Sequence, residues 1–482
     1  MNPSGSVALV QKMFALLFSH HWIGRWQKKW QQQKRLAHPQ EKEKKKTNNC
    51  PKRPASRFYE RVFSLRVTLW YLLFQRLNFD ATMAAVVLNL RAGGADRLGR
   101  PGRKLSRQVR STKTSAYNQA RQRLPLELLQ AALGHLGQAL LKLARLSPPS
   151  KGRAGPGERP RQLLDGSTLS LLLTPWLAKV YRPARNQSGA SDWCLMRILV
   201  GFCARTGAVL SAVEGAMEQS EQALAWKLIE ASARFMIWIG DRNFGVWSVV
   251  AQARRYHQDV LVRLTQARAA KLARGRPLQS GEDRAVQWPP SRSDQAAPGT
   301  ERKAVCGRLI YVRLKKNGKW IDLWLFTTLD ATDYPVALLV QWYGQRWQAE
   351  LHFRSVKTQM KMAELDVCTP EMARKEFYAG LLAYSLVRAV MWGAGERLEQ
   401  GVQVLSFSQA RRVLLERLQA WGRGLGQGQG WSRELLTEVA QQTLPKRRKN
   451  RPSELRRVRH RRQKFPPLKG SRAAARARYL HT

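Results

Sequence analysis

The chain has 482 residues, 44% of them apolar, and a formal net charge of +51 from 84 Lys and Arg against 33 Asp and Glu. That length and apolar content exclude a disordered chain and allow more than one domain with a real core. A charge this large repels itself unless polyanions are the partners, which points to nucleic acid first and anionic membrane second.

The five cysteines (Cys50, Cys194, Cys203, Cys306, Cys368) are scattered without a CxxC pair. This argues against a zinc ribbon or disulfide scaffold and fits a reducing compartment. At the N-terminus, VALVQKMFALLF is interrupted by Gln11 and Lys12. It is too short and broken for a spanning helix, and no small-residue cleavage pattern follows it, so a cytoplasmic, nucleoid-associated protein is expected.

Residues 26–55 are polar and basic, so residues 1–56 read as a flexible basic arm. From 57 to 146, FSLRVTLWYLLFQRL and SAYNQARQRLPLELLQAALGHLGQALLKLARL space apolar residues at three and four, predicting a helical DNA-binding domain. A Pro/Gly linker over 147–162 closes it.

An α/β core is predicted over 163–265 and 332–395. RQLLDGSTLSLLL reads as a strand with Asp165 near its end, and WCLMRILVGFCARTGAVLSAVEGA as two strands turning at ARTG. EQSEQALAWKLIEASARF reads as an amphipathic helix with Ser220 as N-cap. MIWIGD is a short buried strand leading to Asp241, FGVWSVVAQARRYHQ a helix and DVLVRLTQ a further strand. An insertion over 266–331 begins Arg-, Pro- and Ser-rich and ends in a strand pair, CGRLIYVRL and KWIDLWLFTTL, across KKNGK. A helical region over 396–445 follows. The tail, 446–482, is strongly basic, with fifteen Lys or Arg and one Glu over 446–478, and reads as a nucleic-acid-binding extension.

Three carboxylates stand out by placement: Asp165, Asp241 and Glu350. Side chains at the carboxyl ends of neighbouring strands in an open sheet converge on one crevice. Hard divalent ions such as Mg²⁺ take oxygen ligands, and two ions about 3.5–4 Å apart can activate a hydroxyl and stabilise the leaving 3′ oxygen. Around Glu350, YGQRWQAELHFRSVKTQM sets Tyr343, Arg346, Glu350 and Lys357 within an arc of roughly 60° on an unbroken helix running to Met362. A carboxylate flanked by two cations and a phenol suits a site that cuts nucleic acid.

Taken singly, each feature has a plain structural reading: a turn at Asp165-Gly166, a surface ion pair at Asp241-Arg242, a solvated helix face at Glu350. Trp347 and Phe353 are expected in the core, Cys194 and Cys203 as buried small hydrophobes, and His257 on a helix surface.

The three motifs LLDGSTLS, WIGDRNFG and YGQRWQAELHFRSVK together resemble the DDE transposases of the fourth numbered insertion-sequence family, with the Tyr-Arg-Glu-Lys spacing intact. The resemblance covers most of the chain from about Arg57. It implies a ribonuclease-H-like core with a β-rich insertion, preceded by the helical domain, and Asp165, Asp241 and Glu350 as ligands of Mg²⁺ (or Mn²⁺), two ions in all. It further implies that Tyr343, Arg346 and Lys357 grip phosphates of double-stranded DNA, and that Trp324 stacks a flipped base, with Trp320 a competitor. A homodimer would pair two terminal inverted repeats, and no membrane is involved. The chain departs from the family where Asn243 replaces a frequent Gly and where RNQSGASDW replaces a Gly/Pro-containing motif. The expected activity is cut-and-paste DNA transposition; a metal-dependent nuclease on the same core and a catalytically dead DNA-binding derivative are the rivals.

Overall fold

The alternation in RQLLDGSTLSL folds as strand β1 (Arg161–Leu171), on which the rest of the fold is assembled. The structure, a computed structural model, describes residues 17, 19–37, 62–100, 102–144, 159–186, 189–316, 319–396, 398, 401–425, 428–445 and 470–480. Most of the linker and the basic tail up to residue 469 lie outside the described residues.

Among the described residues, the N-terminal α-helices are α1 (His20–Ala37), α2 (Leu65–Leu77), α3 (Met83–Arg91), α4 (Ser115–Arg123) and α5 (Leu126–Leu143). Helix α1 corrects the expectation of an arm over its length: its apolar residues recur at three and four, Ile23 is buried, and the Trp22 ring lies 5.5 Å from His135 of α5. The remainder of that segment, 38–56, lies outside the described residues.

After β1 come α6 (Pro175–Val180), β2 (Pro183–Asn186), β3 (Gly189–Cys203), β4 (Val209–Ala216), α7 (Glu221–Ala231), β5 (Ile237–Gly240), α8 (Trp247–Arg255) and β6 (Asp259–Arg263). Ser220 caps α7 as expected, its hydroxyl accepting from the Ala223 amide. The segment 266–331, expected as an insertion, contributes α9 (Gln266–Leu272), β7 (Asp283–Trp288), β8 (Val305–Lys316) and β9 (Lys319–Thr327). Strand β7, in the Arg-, Pro- and Ser-rich stretch, was not foreseen; pairing with β8 supplies what its composition lacks.

The strands form one mixed, mostly antiparallel sheet in the order β2-β3-β1-β5-β6-β9-β8-β7, with β4 on β3. β4, β3 and β1 are antiparallel, whereas β1, β5 and β6 are parallel, their crossovers made by α7 and α8. The insertion extends this sheet, because β9 pairs with β6.

Helices cover both faces. On one face Leu163, Val200, Ile237 and Ile239 pack with Phe353 and Tyr384. On the other, Leu164, Leu199 and Trp238 pack with Leu224 and Val250 of α7 and α8. Alternate residues of β1 thus serve two different cores.

The segment expected as one helix to Met362 is interrupted. It comprises α10 (Val336–Gly344), a tight turn in which the Gln345 and Arg346 amides donate three residues back, α11 (Trp347–Arg354), and a wide π-helical turn over Ser355–Gln359. Gly344, a weak helix former, immediately precedes the tight turn. A two-residue strand, β10 (Glu364–Leu365), then pairs with β1.

Helix α12 (Pro370–Gly395) is long and apolar enough to cross a membrane, yet 94% of its apolar window is buried inside the protein, which makes it the central core helix. It also anchors the N-terminal helices. Buried Glu376 is held by Arg76 at 3.0 Å and by Arg121, and buried Lys375 donates to the Gln122 carbonyl at 2.6 Å. Helices α13 (Phe407–Gly422), α14 (Gly428–Ala440) and α15 (Arg472–Leu480) complete the described chain.

Candidate active site

The site forms where the short parallel strands β5 and β6 end beside the middle of β1. Leu163 of β1 pairs with Ile239 of β5, and Gly240 of β5 pairs with Val262 of β6. Asp165 follows two residues after Leu163, Asp241 two after Ile239, and Arg263 ends β6 just past Val262. Asp165 is not near the end of its strand, as expected, but in the middle: β1 runs on to Leu171 because β3 stays paired with it beyond the point where β5 stops. Asp165 shares its face of β1 with Leu163 and Ser167, the face covered by α11 and α12.

The interrupted helix lies across these positions. Arg346 donates to Glu350 at 3.0 Å, an i,i+4 pair, and Lys357 donates from Nζ to Ser167 Oγ at 3.2 Å. The wide turn resets the helical phase, so Lys357 reaches β1 two residues beyond Asp165. Tyr343 is half-buried, and burial holds its hydroxyl pKa above the ordinary value against the pull of Arg346 and Arg263. Arg346 and Glu350 thus act on Asp165, Tyr343 lies near Asp241, and Lys357 reaches Ser167, although not from one straight helix.

Burial pushes the Asp165 carboxyl up to about 6. The Gly166 amide, which donates to Oδ1 at 3.0 Å, and Arg346 oppose the rise, while the charges of Asp241 and Glu350 add to it. Both other carboxylates are thus close enough to act on Asp165. Three carboxylates without thiol or imidazole are the donor set of a hard divalent cation, and mutual repulsion at Asp165 is what such a cation relieves. Among the described residues, no three His, Cys, Asp or Glu side chains are gathered into one ligand set, and Glu350 is paired with Arg346.

A second hydrogen-bonded group braces the site from behind. The Asn243 amide donates to Asp241 Oδ1 at 2.9 Å, and Asn243 Nδ2 donates to Glu221 Oε2 at 2.6 Å. Neither Glu221 nor Arg263 was singled out from the sequence. Arg263 carried a readable signal, since it ends the buried strand DVLV; Glu221, one residue after an N-cap, carried none.

In the insertion, Trp324 is half-buried and stacked on Tyr311 at 5.5 Å, whereas Trp320 is 59% exposed and flanked by Arg313 and Lys315. Trp347, expected in the core, is 57% exposed; Phe353 is buried as expected. Cys194 and Cys203 are buried, His257 is exposed, and Arg242 is exposed with its carbonyl accepting from Arg268.

Residues 156–386 match the family model described as the transposase DDE domain. Over 220 residues the chain is 28% identical to the transposase InsG of insertion sequence element IS4 from Escherichia coli (strain K12), covering 43% of this chain and 47% of that protein. The match thus spans about half the length of that relative. A solved piggyBac transposase synaptic complex with hairpin DNA aligns over 92% of this chain and 86% of its own, at 11% identity and a TM-score of 0.39. The segment enclosing the three carboxylates is a transposase DDE domain. Beyond that segment the chain is similar to, and only partly covers, the IS4-element transposase.

Proposed function

We propose that the protein carries out cut-and-paste DNA transposition, cleaving the ends of an insertion sequence and joining them to target DNA. The observation that carries this reading is the placement of Asp165 and Asp241 each two residues beyond the paired Leu163 and Ile239, with Asp241 and Glu350 both close enough to raise the Asp165 pKa. The strand order β4-β3-β1-β5-β6 supports a ribonuclease-H-like core over 163–265 and 332–395, with 266–331 as its insertion.

Asp165 and Asp241 would hold the divalent ion, with Glu350 beside them. Such an ion, Mg²⁺ or Mn²⁺ and two in all, would lower the pKa of the attacking hydroxyl and neutralise charge on the leaving oxygen. Arg346 is the pivot of the site. It pairs with Glu350 at 3.0 Å, and its guanidinium is suited to take a phosphate oxygen as well. Lys357 and Tyr343 flank the same face and would hold the backbone on either side of the scissile bond. Arg263, at the end of β6, adds positive charge. In the insertion, the exposed ring of Trp320 is better placed than Trp324 to stack on an unpaired base, with Arg313 and Lys315 for its phosphates.

The net charge of +51 supports double-stranded DNA, both inverted repeats and target, as the partner. Pairing two ends calls for two copies of the chain, so a homodimer in a synaptic complex is part of the reading. The test is Glu350→Ala in the full-length protein: end cleavage in Mg²⁺ should disappear while binding of the end is kept. A variant that still nicks ends would overturn the assignment. A metal-dependent nuclease would cut but give no joined product from pre-cut ends.

A further inference from the structure

Asn243 is one of the positions where this chain departs from the transposases it resembles, and the structure gives it a defined set of partners. Its side-chain amide is gripped at both ends. Nδ2 donates to Glu221 Oε2 at 2.6 Å, and Oδ1 accepts from Gln222 Nε2 at 2.9 Å. Gln222 also donates to the Asn243 carbonyl at 3.1 Å. The amide cannot flip, because flipping would face donor against donor at Gln222 and oxygen against carboxylate at Glu221. With the residue so fixed, its backbone amide is held on Asp241 Oδ1 at 2.9 Å.

Glu221 begins α7, on the face of the sheet opposite Asp165. A Cβ added to Gly166, the residue after Asp165, would lie 2.5 Å from Glu221 Oε1. Glu221 therefore packs against the back of β1 at the aspartate while bonding the loop that carries the second aspartate. One carboxylate thereby ties both metal-facing strands together without pointing into the crevice.

We propose that Glu221 and Asn243 form a positioning pair that fixes the Asp241 carboxylate relative to Asp165 and so sets the affinity of the site for divalent cations. Neither residue touches the reacting atoms. The proposal rests on the carboxylate reading above. Outer-shell partners of metal-binding carboxylates characteristically contribute about 10–100-fold in affinity. Gly166 is part of the same device, since a methyl group there would push Glu221 off Asn243.

The experiment measures Mn²⁺ binding to the metal-free, full-length protein by electron paramagnetic resonance, for Asn243→Ala, Glu221→Ala, the double variant and Asp241→Asn. Thermal stability and metal-free DNA binding are followed alongside. Asn243→Ala and Glu221→Ala should each weaken Mn²⁺ binding about ten-fold or more, at retained thermal stability and DNA binding. The double variant should be no worse than either single one, because both act through one contact chain. DNA cleavage by each should recover as Mg²⁺ is raised. If Asp241→Asn loses Mn²⁺ while both single variants bind it normally, the positioning pair is wrong and the carboxylate reading stands. If Glu221→Ala is much the more severe and the effects add, Glu221 is itself a ligand and the proposal fails. If Asp241→Asn binds Mn²⁺ like the parent protein, the carboxylate reading fails and the pair with it.

Discussion

Lys357, in the wide turn that ends the active-site helix, donates to Ser167 on β1 at 3.2 Å, two residues beyond Asp165. This contact spans the crevice and joins the element carrying Glu350 to the strand carrying Asp165. In the proposed function this cation seats the helix and would also offer charge to a phosphate. Lys357→Ala should lower end cleavage about 10²-fold, the usual loss when one preorganised charged donor is removed. Ser167→Ala, which removes only the tether, should cost much less. Single-turnover cleavage by the two variants checks this; equal losses would make Lys357 a structural tether alone.

The raised Asp165 pKa predicts a pH-dependent stability. Its carboxyl titrates near 6 in the folded protein against an ordinary value of 3.8. The folded state therefore binds the proton more tightly than the unfolded state, and stability contributed by this group is lost as pH rises from about 4 through 6. Asp165→Asn, which keeps an acceptor for the Gly166 amide, should raise Tm above pH 6 by an amount on the order of 1–3 kcal/mol in free energy, and leave it unchanged below pH 4. Thermal melts across that range without divalent cation test the sign. The same titration predicts that cleavage at limiting Mg²⁺ rises through pH 6, since the cation competes with that proton.

Glu376 is a stability hinge remote from the chemistry. It is 3% exposed and holds Arg76 of α2 and Arg121 of α4 against α12. Glu376→Ala leaves two guanidinium groups uncompensated in a buried site, at a cost of about 3–5 kcal/mol. Lower Tm, with proteolysis beginning among the N-terminal helices, is the expected outcome.

The two insertion tryptophans should part company. Trp324 stacks on Tyr311 and packs against a buried cluster, so Trp324→Ala should lower Tm by about 2–4 kcal/mol in free-energy terms. Trp320→Ala should leave Tm alone and weaken binding to an end with unpaired bases by about 1–3 kcal/mol. Binding measured on frayed and fully paired ends separates the two roles.

Much of this arrangement was legible before any coordinate. Spacing in YGQRWQAELHFRSVK put Tyr343, Arg346, Glu350 and Lys357 on one side, because helical periodicity is a local property. The Ser220 cap and the β3–β4 turn at ARTG were equally local. The straightness of that helix was not legible. Hydrogen bonds three and then five residues apart bend and rewind it while keeping its functional side inward. The exposure of Trp347 was missed for a related reason: an amphipathic pattern tells which residues are apolar, not which of them find a neighbour.

By itself the sequence determined the kind of chemistry: three carboxylates in order, cations beside the last, and a charge that demands a polyanion. Only the tertiary structure decided that Asp165 lies mid-strand, that Asp241 and Arg263 come where the shorter parallel strands end, and that Glu221 and Asn243 brace the site from behind. The physical reason is pairing distance. Which residues share a helix face follows from a few neighbouring positions. Which residues face each other across parallel strands depends on register between segments separated by whole helices, and no local pattern carries that register.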